Sequence, residues 1–159
     1  VAPYVGRAEF VDGSSLTVAD VPGLVEGAHR GEGLGHEFLR HLERTKVLLY
    51  VIDAAQAEDP FSQFLALQHE VSAFSYEMAS KPCGIIANKC DLAPDKTLRK
   101  VDQLFHQVNA AQGTFGGASA PIFVRAMSAR YGDGISGLLQ ELRRILREYH
   151  PDHFAPVLR

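Results

Sequence analysis

Residues 47–53 read VLLYVID, a nearly continuous apolar run of the kind carried by a strand buried on both faces. GIIAN at 84–88 and IFVRA at 122–126 repeat the pattern. Two shorter runs, RAEFV at 7–11 and LTVAD at 16–20, flank Asp12-Gly13 and predict a hairpin. Helical spacing fills the gaps. Asp59 is placed to cap a helix opening on Pro60, whose stripe is Phe61, Phe64, Leu65, Val71, Phe74 and Met78. Asp95 is expected to cap a second, with Leu98, Val101, Leu104, Phe105 and Val108 inward and Gly113 as its stop. Ile135, Leu138, Leu139, Leu142, Ile145, Leu146 and Tyr149 predict a third, with Arg143, Arg144 and Arg147 facing away and Pro151 ending it. Segment 113–121, GTFGGASAP, reads as a Gly/Ala/Ser loop.

Buried strands alternating with amphipathic helices predict an α/β fold with a mostly parallel sheet. Ligands of such sheets bind outside the carboxyl ends of the strands. The loops to inspect therefore follow Asp20, Asp53, Asn88 and Ala126.

The remaining totals narrow the class. The 159 residues make one domain's worth of chain, and 46% apolar with 22% charged residues is the balance of an ordinary globular protein. No apolar run approaches the roughly 20 residues of a membrane helix. Cys83 and Cys90, seven apart, form neither a disulfide framework nor a metal pattern and are expected as reduced thiols. The net charge of −3 excludes a uniformly basic nucleic-acid binder but leaves local basic clusters at Arg30–Lys46, Lys96–Lys100 and Arg143–Arg147. The last two read as solvated helix faces.

Three loops carry chemistry. Asp20-Val21-Pro22-Gly23 places a carboxylate at a strand end, suited to a magnesium ion that also binds substrate phosphates, and a glycine whose N–H can approach a terminal phosphate. Taken alone, those residues also describe a plain turn with a capping aspartate. Asn88-Lys89-Cys90-Asp91 follows a buried strand. A carboxylate at Asp91 can accept from N1 and N2 of guanine, a donor pair that adenine lacks. Asn88 would face the purine edge and brace the loops, and the stem of Lys89 would lie over the base or ribose. Backbone N–H groups of Ser128-Ala129-Arg130, after the next strand, could donate to guanine O6.

In this order the three loops resemble the guanine-nucleotide domain of P-loop GTPases. DVPGLVEGAHRGEGLGHEFLRHLERTKVLLYVID, EDPFSQFLALQHEVSAF and KPCGIIANKCDL closely resemble the Obg family of ribosome-assembly GTPases, and the resemblance runs from Val1 to about Tyr149. It implies an Obg-type domain over 1–150, a three-layer P-loop GTPase fold incomplete at the N-terminus, and a tail at 151–159. It implies GTP or GDP and Mg2+ as ligands, with Asp20 serving the metal, Gly23 the γ-phosphate, and Pro22 among the nucleotide-binding residues. Residues 19–36 would be the second switch, its glycines Gly27, Gly31, Gly33 and Gly35 permitting two backbone arrangements. A helix from about Gly35 to Arg44 would present Arg40, His41 and Arg44 to the large ribosomal subunit and other assembly factors. Leu24 stands where many small GTPases keep a water-orienting glutamine, so no catalytic residue is assigned, and Glu26, His29 and His36 are left without a role.

A Gly-x-x-x-x-Gly-Lys-Ser/Thr loop is absent from these residues, and the first-switch threonine of the family would immediately precede Val1. The central strand before that loop would contribute about 6–12 kcal/mol of apolar burial, comparable with the stability of a whole domain. A longer protein is therefore expected. The expected activity is hydrolysis of GTP in large-subunit assembly; the other reading is a non-hydrolysing factor of the same fold that docks as a scaffold. A dinucleotide-binding Rossmann protein would leave Asn-Lys-x-Asp unexplained. The expected home is the mitochondrial matrix or the cytoplasm, on ribosomes; Tyr4, where the family commonly has Asn, and the 113–121 loop favour the organelle.

Overall fold

A computed structural model describes residues 4–20 and 43–151. Pro22, Gly23, the switch glycines, Leu24, Arg40, His41 and the 152–159 tail lie outside the described residues.

The hairpin forms as expected. Strands β1 (Val5–Glu9) and β2 (Ser15–Ala19) pair antiparallel, Val5 opposite Ala19 and Glu9 opposite Ser15. Asp12 closes the turn by accepting from the Ser14 N–H at 3.0 Å and the Ser14 hydroxyl at 2.6 Å. Each strand lies one or two residues earlier than its apolar run, because the bends follow the Asp12 turn rather than the last apolar residue.

The remaining strands, β3 (Leu48–Asp53), β4 (Cys83–Asn88) and β5 (Pro121–Ala126), form a parallel sheet in the order β3-β4-β5. Helices α1 (Pro60–Phe74) and α2 (Tyr76–Ala79) connect β3 to β4, α3 (Pro94–Ala110) connects β4 to β5, and α4 (Ile135–Tyr149) follows β5. A strand order that advances one way places right-handed crossovers on one face. Accordingly Phe64 and Val71 of α1 and Leu104 and Val108 of α3 pack with Tyr50, Ile52 and Ile85 on one side of the sheet. On the other side Leu138, Leu142, Ile145 and Leu146 of α4 pack with Ile86, Phe123 and the hairpin's Leu16. Successive residues of β4 thus serve opposite layers, as period-two alternation requires. Gly84 is forced by this packing, since a Cβ there would sit 2.2 Å from the Phe123 ring.

Four expectations are corrected. The β3 run is not buried on both faces: β3 is an edge of the three-stranded sheet among the described residues, and Val51 is 53% exposed. The first helix does cap on Asp59, which accepts from the Phe61 N–H at 3.2 Å, but it stops before Met78. Ser75 turns extended, and its hydroxyl accepts from the Met78 N–H to start α2. Asp95 caps nothing; it lies in the first turn of α3, which opens from Ala93 in the left-handed region, with Leu98 51% and Phe105 46% exposed. Lastly, Arg143 does not face away. Its guanidinium stacks 4.5 Å over the Phe10 ring and contacts Asp12, joining α4 to the hairpin.

The 113–121 loop is held at several points. Phe115 meets Phe64 edge-on at 6.1 Å, the Ser119 N–H donates to the Ala79 carbonyl at 2.8 Å, and buried Gln68 donates to the Ser119 carbonyl at 2.9 Å.

Candidate guanine-nucleotide site

The carboxyl ends of β3, β4 and β5 lie side by side because parallel register aligns them, Asp53 opposite Asn88 and Ala87 opposite Ala126. Backbone bonding carries the alignment past the strands. The Met127 N–H donates to the Ala87 carbonyl at 2.8 Å, the Cys90 N–H to the Met127 carbonyl at 3.1 Å, and the Ala54 N–H to the Asn88 carbonyl at 2.9 Å. Two sequence-distant loops, 88–91 and 128–130, are thereby held face to face.

Side chains complete the junction. The Ala129 N–H donates to Asn88 Oδ1 at 2.9 Å. The buried Ser128 hydroxyl donates to Asp91 Oδ1 at 2.8 Å and accepts from the Tyr131 N–H at 3.4 Å. Ser128 is itself clamped, its N–H on the Asp133 carbonyl at 3.0 Å and its carbonyl accepting from the Gly132 N–H at 2.8 Å. Gly134 closes that loop at φ +82°, where a Cβ would also lie 2.7 Å from the Ala126 carbonyl oxygen. From the far side, the buried Thr97 hydroxyl in the first turn of α3 lies 3.3 Å from the Cys90 carbonyl and ties the helix to the 88–91 loop.

Lys89 leaves this junction in the opposite direction. Its backbone adopts φ +65°, and its Nζ reaches Asp53 Oδ2 at 2.7 Å. The other oxygen, Asp53 Oδ1, accepts from the Ala55 and Gln56 N–H groups at 3.0 Å each. The Lys89 hydrogen bond, aided by those two backbone donors, holds the Asp53 carboxyl below its usual range against the opposing effect of burial. Lys100 supports the same turn by donating to the Ala57 carbonyl at 2.6 Å.

The structure thus brings together Asn88, Lys89, Asp91, Ser128 and Ala129. Arg130 is exposed beside them, its guanidinium 5.6 Å from the Tyr131 ring. The Ala129 N–H, expected to face a purine O6, is engaged by Asn88 here and must be released or shared to serve a ligand. Asp20 is exposed at the end of β2, its N–H on the Tyr4 carbonyl at 2.7 Å. As one carboxylate it fits a magnesium ion whose other ligands are phosphates and water. Among the described residues no group of three or more His, Cys, Asp or Glu could hold a metal without them. Cys83 is buried with its thiol pushed up to about 12, so it stays protonated and inert. Asp53, which the sequence marked only as a strand end whose loop was to be inspected, adjoins the site through Lys89. Its signal, an acidic residue ending an apolar strand, is the one that singled out Asp20.

The model of the 50S ribosome-binding GTPase family matches residues 2–89, just over half of the chain. The chain belongs to this family. Its relatives place it among the Obg members. The GTPase Obg of Herpetosiphon aurantiacus is 42% identical over 150 residues, which are 93% of this chain and 32% of that protein. The GTPase Obg of Desulfitobacterium hafniense is 40% identical over 152 residues, again 93% and 32%. That of Desulforudis audaxviator is 38% identical over 157 residues, 98% and 34%. The chain spans about a third of the length of these curated relatives. The α/β architecture with its parallel sheet agrees with membership of this family.

Proposed function

We propose that the chain carries the guanine-recognition part of a GTPase that binds GTP and GDP, hydrolyses GTP to GDP and phosphate, and acts on the large ribosomal subunit during its assembly. One observation carries the reading: Asn88, Asp91, Ser128 and Ala129, from two loops some 40 residues apart in sequence, are hydrogen-bonded to one another at the carboxyl edge of a parallel sheet. Asp91, oriented by Ser128, would accept from guanine N1 and N2. Against adenine it would face an acceptor at N1 and no amine at C2, leaving its charge unpaired.

Hydrolysis would be an in-line attack of water on the γ-phosphorus. The described residues contribute binding and orientation of the base, and none is assigned to the water. Magnesium, when bound, supplies charge neutralisation at the phosphates, and Asp20 is the residue that would hold it. The ribosomal partner is supported by the family being one of 50S ribosome-binding GTPases and by the basic residues Arg40, His41 and Arg44, of which Arg44 is exposed.

The deciding experiment is equilibrium binding of GDP and ADP to the full-length protein. A preference for GDP on the order of 100-fold is expected from two charge-assisted hydrogen bonds. Equal affinities overturn the reading. Sedimentation with purified large subunits in the GTP and GDP states tests the partner, and absence of binding in both removes it.

A further inference from the structure

Asn88 and Lys89 are consecutive, yet one reaches towards β5 and the other towards β3. The second reach ends on a prepared partner. Asp53 stands directly across the β3–β4 register from Asn88. Its Oδ1 is occupied by the Ala55 and Gln56 N–H groups, which fixes the carboxylate plane and aims Oδ2 at the lysine. The two ends are unequal: the side chain of Asp53 is 22% exposed and that of Lys89 50%. The sheltered, doubly bonded carboxylate is the anchor, and the long ammonium arm is what it holds.

We propose that Asp53 is a positioning residue of the nucleotide site, holding Lys89 by its ammonium so that the lysine stem lies along the base and ribose. This rests on the guanine-site reading above. The Lys89 side chain is half exposed, and a free stem would lose conformational freedom each time nucleotide bound. The Asp53 tether removes that freedom beforehand. It acts on the part common to GTP and GDP, so both nucleotides gain by the same factor.

The competing account is that Asp53 only closes the 53–56 turn. Asp53→Asn separates the two, because asparagine keeps the Oδ1 acceptor for the turn and turns a donor towards the ammonium. In the full-length protein, GDP and GTP dissociation constants are measured for wild type, Asp53→Asn, Lys89→Ala and the double variant, with thermal midpoints alongside. The expected result is a loss of about twofold to fivefold, the range of a partly exposed ion pair, equal for GDP and GTP and absent in the Lys89→Ala background. Asp53→Ser, whose hydroxyl still serves the turn, gives the same reading should the asparagine form fold poorly. Wild-type affinity in Asp53→Asn overturns the proposal. So does a loss that persists without Lys89, or one confined to GTP. Failure of the wild type to prefer GDP over ADP is a different outcome, seen before any variant is made, and removes the guanine site itself.

Discussion

The Ser128 hydroxyl donates to Asp91 Oδ1 at 2.8 Å, from one loop to another 37 residues away. The hydroxyl is buried and the carboxylate partly so, which shelters the bond from water and holds the carboxylate in one orientation. A carboxylate held in this way meets a planar donor pair without first losing rotamer freedom.

Asp91→Asn is expected to invert base preference. The asparagine amide donates where the carboxylate accepted, so it opposes the guanine 2-amine and suits the 2-oxo group of xanthine. GDP affinity should fall on the order of 100-fold and xanthosine diphosphate affinity should rise. Competition binding with both nucleotides on the full-length protein measures this, and an unchanged GDP-to-xanthosine ratio refutes the assignment of Asp91.

Ser128→Ala removes the orienting donor and leaves the Tyr131 N–H without its acceptor. Loss of these two hydrogen bonds costs about 2 kcal/mol, or about 4–8 °C in the thermal midpoint of a domain this size. GDP binding should weaken several-fold more than stability alone explains. An alanine variant with lowered midpoint but wild-type GDP affinity would leave Ser128 a purely structural residue.

These side-chain roles were unequally legible. Asn88, Asp91 and the Ser128–Ala129 turn could be brought together on sequence grounds because each follows an apolar run, and parallel register then aligns the strand ends. Asp53 followed the same rule but offered no motif, since its partner depends on Lys89 taking a left-handed backbone, which no local pattern declares. Helical periodicity found the last helix and misplaced Arg143: spacing distinguishes a stripe from its opposite face but is blind to a hairpin arriving from 130 residues upstream. The break at Ser75 was hidden for a related reason. Serine tolerates the helix and also caps one, and the apolar spacing to Met78 continues across the break.

Asp53 also predicts a pH dependence. Its folded value lies below the ordinary aspartate value near 4, chiefly through the Lys89 hydrogen bond. A lowered carboxyl contributes stability that is fully present above the unfolded value and lost as pH falls through the folded one. The stability difference between wild type and Asp53→Asn should therefore be constant from about pH 7 to 5 and shrink below about pH 4. Denaturant titrations at several pH values read it, and a difference that grows on acidification contradicts the assignment.

Arg143 predicts how the hairpin is attached. It is the residue of α4 that both stacks on Phe10 and contacts Asp12, with Arg147 3.5 Å from the same carboxylate. The hairpin's own buried anchor is Leu16, packed in the layer of α4. Among the described residues its strands pair only with each other, whereas the parallel sheet draws its bonds from β3, β4 and β5. Arg143→Ala should accordingly loosen one unit and spare the other, at about 0.5–1 kcal/mol for the stacked cation. In hydrogen exchange on the full-length protein, amides of residues 5–19 should exchange about twofold to fivefold faster while those of 83–88 keep their protection. Arg143→Lys should recover only part of the loss, because a lysine keeps the charge and gives up the planar face that lies on the ring. Equal acceleration in both segments would mean that the hairpin and the parallel sheet open together, as one unit held through the apolar layer of Leu16, Ala8 and Phe10 against α4.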